Sequence, residues 1–383
     1  MPKTRLVPLA LLCLFSAVAC REGRALPTPE AGERQKKHAK HVKKHERDEK
    51  QDKKHDKEAK GNKDGTPELL RHPPGRMVTF EGACDASGAI PLDATHFLLA
   101  DDEDNVLRVY DAERGGPPTR TFDLSSRVAP ADASAEVDLE AATRMGDRGY
   151  FLSSHARKRS GKLDPNRFVF FAVDLGGDAG ATVTVTGKPS TSLLDDLERM
   201  PEVSGYGLGT GRTRAPLTEG AVNIEGMTAA PDGTLWIGFR SPLPEGKAIL
   251  VRLLNPKEVL EGAHAKFASP RLLDLGGLGI RSLSSHHGSY LVVAGPAQRR
   301  GVFRLLRFDD QGPPRPVAGA EFEGFSPEGL FTPEGREDIL VLSDDGIQEV
   351  DGKACKKLAD QKLKRFRGLW MKLPAEGLQG STK

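Results

Sequence analysis

The sequence predicts an all-β chain built as a single β-propeller of five or six blades, each of about four strands. Three observations lead there. From about Met77 onward, short apolar runs alternate with turns rich in Gly, Pro, Asp and Asn. The runs HFLLA, VLRVY, YFLSS, FVFFAVDL, LWIGF, ILVRLL, YLVVAG, FRLLRF and ILVLS carry the β-branched and aromatic residues that suit a pleated sheet. A motif of acidic, small and apolar residues also repeats, followed each time by a turn, a strand and a polar residue at the strand end. Its copies are Phe80-Glu81-Gly82-Ala83, Leu139-Glu140-Ala141-Ala142, Ile224-Glu225-Gly226-Met227 and Pro327-Glu328-Gly329-Leu330, with Ile280-Arg281-Ser282-Leu283 as a fifth in which Arg replaces Glu. The acidic or basic positions lie 59, 85, 56 and 47 residues apart, the period range of a propeller blade. Finally, only 192–200 and 256–265 read as helices, too few to bridge the strands of a parallel α/β fold.

Composition agrees with this class and excludes others. The chain has 383 residues, 37% of them hydrophobic, with 42 Gly and 27 Pro, so a core is available and turns are many. No apolar run reaches the roughly 18–20 residues of a membrane-spanning helix. Four Cys in this length cannot staple a small disulfide scaffold. The longest repeat interval holds an insertion over 156–220, with room for a sixth blade. Its GYGLGTG stretch lacks the Lys-Ser or Lys-Thr of a phosphate-binding loop and reads as an ordinary loop.

The elements before the propeller are an address and a tether. Lys3 and Arg5 precede the apolar stretch 6–19, the pattern of a secretory signal over residues 1–19. Ala17-Val18-Ala19 suits ordinary signal peptidase, and with Cys20 it also resembles a lipobox. If Cys20 carries lipid and Cys13 leaves with the signal, Cys84 and Cys355 remain to pair, which favours the lipoprotein reading. Resemblance to bacterial lipoproteins then implies the outer membrane, because Arg21 is not the Asp of inner-membrane retention. Periplasmic or extracellular release is the alternative. The linker over 20–75 contains the segment 34–60, with ten Lys, two Arg, three Glu, three Asp, four His and one branched aliphatic residue. Such a segment buries too little to order itself, so a disordered or transiently helical spacer is expected. It offers an anionic envelope polymer a place to bind. Neither metal nor nucleic acid is expected there, since its His residues lack fixed carboxylate partners and no aromatics interleave its cations. The net charge of +2 thus divides into +1 for 1–33, +6 for 34–60 and −5 for 61–383. The propeller is expected over 76–375, with a flexible tail at 376–383.

In a propeller, equivalent positions of the innermost strands converge on the central channel. Glu81, Glu140, Glu225, Glu328 and Arg281 are therefore expected in one ring, with Asp101, His155, Arg240 and Asp344 at adjacent strand ends. Like-charged carboxylates in one channel require a counter-ion, a bound cation or raised pKa values. An alternative is that each Glu-Gly is an entry turn that seats one blade on the next. First and last blades adjoin in a closed ring, so Cys84 and Cys355 are expected to form a disulfide that latches it. No nucleophilic-serine motif and no zinc-ligand pair is present.

Four long segments, LLADDEDNVLRVYD, SSHARKRSGKLDPNRFVFFAVDL, NIEGMTAAPDGTLWIGFRSPLPEGKAILVRLLNP and DLGGLGIRSL, resemble the bacterial family known as domain of unknown function 3616 over residues 78–346. In repeat style the chain is also similar to esterase-like phytase and SdiA-regulated propellers, whose acidic channels are associated with calcium and, in the phytase-like branch, with phosphoester hydrolysis. Two function classes follow. One is an exported binding or scaffold propeller, monomeric, with calcium or ion pairs closing the channel and an anionic small molecule as ligand. The other is a calcium-dependent phosphoesterase. There Glu81, Glu140, Glu225, Glu328, Asp101 and Asp344 hold the metal, and His155 is the general acid. Arg240, Arg281 and the run Arg157, Lys158, Arg159 grip the anionic group. Asp101-Asp102-Glu103-Asp104-Asn105 has oxygen donors but not the EF-hand pattern, and reads equally as a polar hairpin turn.

Overall fold

The computed structural model describes residues 75–374, apart from 130, 131, 133, 134, 299, 300, 311 and 321. The expected signal segment, Cys20, the charged linker before 75 and the tail 376–383 lie outside these residues.

Strand β1 (Arg76–Glu81) comes first in the chain and closes the ring last. The next four sheets are consecutive antiparallel meanders. Blade 1 contains β2 (Gly88–Pro91), β3 (His96–Ala100), β4 (Val106–Asp111) and β5 (Arg120–Asp123). Blade 2 follows with β6 (Leu139–Met145), β7 (Arg148–Ser153), β8 (Phe170–Gly176) and β9 (Thr182–Ser190). In blade 3 are β10 (Asn223–Ala229), β11 (Leu235–Ser241), β12 (Ala248–Leu253) and β13 (Arg271–Leu273). Blade 4 has β14 (Gly279–His286), β15 (Ser289–Gly295), β16 (Arg304–Phe308) and β17 (Arg315–Pro316). Blade 5 is composite. Running outward, it joins β18 (Pro327–Phe331), β19 (Ile339–Ser343) and β22 (Arg365–Met371) to β1, with Phe80 opposite Phe366. A small hairpin, β20 (Glu349–Val350) and β21 (Lys353–Ala354), interrupts blade 5 before β22.

The propeller therefore has five blades. The insertion at 156–220 holds no sixth: its strands are the outer half of blade 2, followed by a short helix at Leu193–Glu198 and a helical turn at Leu208–Gly211 inside GYGLGTG. The second expected helix shortens to Pro256–Leu260, started by Pro at its first turn.

Burial between blades explains the unbroken apolar runs. Each blade is covered on both faces, so alternate residues of one strand serve two different cores. In β7, Tyr150 and Leu152 face the core shared with blade 3, while Phe151 faces the core shared with blade 1. Phe170 and Phe171 of β8 divide in the same way. Five such cores fill the five seams. The seam of blades 5 and 1 is aromatic: Phe80 stacks on Phe366 at 4.9 Å and meets Phe97 edge-on at 5.2 Å. Its N-terminal strand is thus held by ladder bonds and by packing. Cys84 and Cys355, 271 residues apart in sequence, form a disulfide across the same closure, with Cα atoms 5.9 Å apart.

Candidate functional site: a divided acidic channel mouth

Four of the five innermost strands carry a register shift at one place. Between Leu139 and Ala141, Ile224 and Gly226, Ile280 and Ser282, and Pro327 and Gly329, the neighbouring strand advances one residue while the inner strand advances two. The skipped residues are Glu140, Glu225, Arg281 and Glu328. A bulge takes a side chain out of the pleat and re-aims it, and all four leave the seams for the channel. They are 8%, 1%, 5% and 4% exposed, so their charges must be met inside the protein. Glu140, Glu225 and Glu328 each place a carboxylate oxygen within 4.8 Å of the others. The Gly after the Glu has its own cause: a Cβ on Gly226 would lie 2.6 Å from Ile280 Cγ2 of blade 4. The Glu of the repeated motif thus faces the channel, while the Gly seats the next blade.

Blade 1 departs from the pattern. Its inner strand β2 pairs without a shift, Gly88 to Ala100 and Ala89 to Leu99, so it has no bulged residue to contribute. The expected ring member Glu81 is corrected accordingly. It lies at the end of β1, the outermost strand of blade 5, opposite Arg365 and exposed to solvent. The motif Phe80-Glu81-Gly82-Ala83 resembles the others in letters, but it ends a closing strand instead of opening an inner one.

On the side of blades 3, 4 and 5 the charges are matched. Arg281 places Nε 3.0 Å from Glu225 Oε2 and donates from Nη2 to Glu328 Oε1 at 2.6 Å. Glu225 Oε1 also accepts from Arg240 Nη1 at 2.9 Å and Asn223 Nδ2 at 2.7 Å. The remaining Arg240 donors go to the carbonyls of Pro296 and Gln298, at 3.1 and 2.8 Å. Two carboxylates therefore face two guanidinium groups. Burial pushes the Glu328 carboxyl up to about 8, against the pull of Arg281.

The side of blades 1 and 2 is different. Asp102, from the loop after β3, and Asp138, just before β6, bring carboxylate oxygens within 4.8 Å of each other and of Glu140. Asp138 sits at a left-handed φ of 59°, pairs with Arg167 and is raised chiefly by burial. Asp102 Oδ1 is buried without a hydrogen-bond partner. Among the described residues Glu140 has neither a hydrogen bond nor an ion pair. Burial, then the neighbouring Glu225 and Asp138, raise the Glu140 carboxyl well above the usual range. Burial followed by Glu140 does the same to Asp102. Three carboxylates here face one guanidinium.

The other expected residues stand nearby or apart. Asp101 accepts from the Glu103 N–H at 2.8 Å, and burial pushes it up to about 6. Asp344 pairs through its backbone with Asp85. Burial raises Asp344, but hydrogen bonds from Asp85 and the Gly346 N–H outweigh it and leave its carboxyl below the ordinary range, while burial keeps the proton on Asp85. His155 is fully buried, with Nδ1 2.9 Å from the Ser153 carbonyl and its ring against Phe168. Burial pushes it down to about 4, so the ring is neutral and not placed to act as an exposed acid. Arg157 donates to the Arg212 carbonyl and Lys158 pairs with Asp164 at 2.8 Å, so both brace their own loop. Asp102 and Asp138 carry no repeat signature in the sequence because they sit in connecting loops. A usable signal was present: Asp138 stands two residues before Glu140, and Asp102 lies within DDEDN.

At the strand ends of blades 3 and 4 a cavity of about 510 Å³ opens between the GYGLGTG insertion and the loops at Ser241, Gly277 and Gln298. Tyr206 and Pro242 supply flat apolar faces to its wall.

Comparison with solved structures returns β-propellers at low identity. Myxococcus xanthus glutaminyl cyclase is 11% identical, covering 78% of this chain and 96% of that one, with a TM-score of 0.42. The PQQ-bound aldose sugar dehydrogenase of Streptomyces coelicolor is 13% identical, covering 79% and 100%, with a TM-score of 0.39. The Cps50 (Swd1) β-propeller domain of Myceliophteria thermophila is 9% identical, covering 74% and 83%, with a TM-score of 0.34. No curated protein matches the chain. One family does, and the matched stretch takes in Glu225, Arg240 and Arg281: residues 181–315 match the family described as protein of unknown function, DUF3616.

Proposed function

We propose that this chain is an exported binding propeller, anchored at the cell envelope through Cys20, whose channel mouth carries a divalent cation of the calcium type. The observation that supports this reading is a buried excess of carboxylate. Glu140 lies within 4.8 Å of two acidic pairs, Glu225 with Glu328 and Asp102 with Asp138, and makes no ion pair among the described residues. The donor set is carboxylate oxygen throughout, the chemistry that hard cations take, and Asp102 Oδ1 is a buried acceptor lacking a donor. When bound, such an ion neutralises the carboxylates and offers a Lewis-acid position to a ligand oxygen. The chain's own residues do the rest. Arg240, locked by three bonds, joins the channel to the Gln298 loop that borders the cavity, where a small anionic or polar ligand is proposed to bind.

The hydrolytic alternative gains no support from the same geometry. His155 is buried and neutral, and Arg240 and Arg281 are spent on carboxylates and carbonyls.

Calcium titration of the full-length chain, followed by melting temperature after EDTA treatment, tests the proposal. A native-state ligand at a hundred times its Kd adds about 2.7 kcal/mol, so a rise of several degrees is expected. An unchanged melting temperature across millimolar calcium overturns the reading.

A further inference from the structure

We propose that the cation sits off the channel axis, between blades 1 and 2, on Asp102, Asp138 and Glu140, and that Arg281 takes the place of a metal at the centre of the glutamate ring. This location rests on the reading above that the channel holds a divalent cation.

Two clusters of three carboxylates share Glu140, and they differ in what already neutralises them. In the ring of Glu140, Glu225 and Glu328, a guanidinium lies against two of the three members, at 3.0 and 2.6 Å. Arg240 adds a second positive charge at Glu225. An ion placed there must sit beside fixed cations and compete for oxygens already hydrogen-bonded, and Coulomb repulsion at such distances in a buried site is large. In the cluster of Asp102, Asp138 and Glu140 the one cation within ion-pair distance among the described residues is Arg167, which engages Asp138 and also Glu136. Arg281 and Lys356 act on Glu140 and Asp102 only through space. With its three carboxylates ionised, as a bound cation would hold them, the cluster exceeds the guanidinium it shares with Glu136 by at least two negative charges, enough to hold one divalent cation.

A cluster of acids is not by itself a site; the state of its members makes it one here. Glu140 is 8% exposed and without a hydrogen-bond or ion-pair partner among the described residues, and its carboxylate points into the cluster. Asp102 Oδ1, also buried, lacks a partner as well. Of the neighbouring acids, Asp85 is likewise buried, with no partner other than Asp344 among the described residues, and belongs to neither carboxylate cluster; the rest are accounted for. Asp101 accepts backbone N–H groups, Asp344 is served by Asp85 and Gly346, and Glu103 pairs with Lys364 at 2.9 Å. The exposed Lys356 adds positive charge near Asp85, Asp102 and Asp344 but forms no ion pair with any of them among the described residues. Three carboxylates offer at most about six oxygens, at the low end of what calcium takes, so the ion keeps room for water or a ligand oxygen on the side where Asp102 is partly exposed.

The test uses calcium alone as the probe, by calorimetric titration of the full-length chain and of three variants. Wild type is expected to bind one calcium. Asp102→Asn and Asp138→Asn are each expected to weaken binding at least tenfold, and Glu328→Gln to leave Kd within about threefold. Asp102→Asn replaces a buried carboxyl that has an unpartnered oxygen with a neutral amide of the same shape, so it should melt no lower than wild type without calcium, which separates lost ligation from lost fold. If wild type binds while Asp102→Asn binds equally well and Glu328→Gln does not, the ion lies in the central ring and the location is overturned. No binding by wild type overturns both the location and the reading it rests on.

Discussion

The two sides of the channel mouth are built from the same repeat and reach different electrostatic ends. Blades 2 to 5 each present one bulged residue to the channel at the same strand position. Where blade 4 substitutes Arg281 for glutamate, its neighbours Glu225 and Glu328 become internally paired. Blade 1 has no bulge, and the loops beside it bring Asp102 and Asp138 to Glu140, so the excess charge collects there. A single change of sign in a repeat thus divides a ring into a part that completes itself and a part that needs something from outside. The family match over 181–315 contains Arg281 and Arg240, while Asp102, Asp138 and Glu140 lie beyond it.

The largest expected effect breaks the self-sufficient side. Arg281→Met leaves Glu225 and Glu328 without their shared cation, and removing one member of a buried ion pair costs about 3–5 kcal/mol. Urea unfolding measures it. A loss below about 1 kcal/mol means the two sides do not differ in the way described.

Next comes acid stability, which asks whether His155 lends charge to the carboxylate side. Burial holds its folded pKa down at about 4, below its unfolded value, so the unfolded chain binds the proton first. The contribution of this group is then flat above about pH 7 and is lost as pH drops through 6.5 toward 4, by up to about 3 kcal/mol. The raised carboxyls of Glu328, Glu140 and Asp102 act with the opposite sign, so the effect is read as the difference between wild type and a His155 variant. His155→Asn, which tolerates the left-handed backbone at φ 53°, should remove that part of the acid sensitivity. If acid in this window instead stabilises wild type relative to the variant, His155 is a cation that serves the channel.

The smallest effect is expected at Glu81, the motif copy that lies outside the ring. Glu81→Gln should shift stability by less than about 0.5 kcal/mol, as an exposed strand end does, and leave calcium affinity unchanged. A loss of calcium binding returns Glu81 to the channel and removes the distinction between inner and closing strands.

Much of the fold was legible because it is periodic. Tyr150, Phe151 and Leu152 alternate between two seams, and that alternation shows as an unbroken apolar run with turns on either side. The ring was legible at Glu140, Glu225, Arg281 and Glu328 for the same reason: equal strand positions in repeated blades converge. It failed at Glu81, where local letters imitate the motif but long-range pairing with Arg365 fixes a different strand role. The insertion looked large enough for a blade, yet its strands complete blade 2 and its remainder packs as short helices, with Leu193, Leu197 and Leu208 buried in the seam of blades 2 and 3. Asp102 and Asp138 could not be ranked above other acidic loop residues, since nothing local states that two loops 36 residues apart will meet.

By itself the sequence determined the class of the molecule. Strand-length apolar runs, a blade-sized repeat and a charge at one motif position require stacked sheets with a polar axis, because each repeat buries its faces only against the next. Tertiary structure decided everything that depends on which strand is innermost. It set five blades, made β1 a closing strand, and bulged four inner strands so that Arg281 reaches Glu225 and Glu328 while Glu140 is left to Asp102 and Asp138. The physical reason is range. Patterning acts over a few residues along the chain, whereas the balance of buried charge is set by distances of a few ångströms between residues far apart in it.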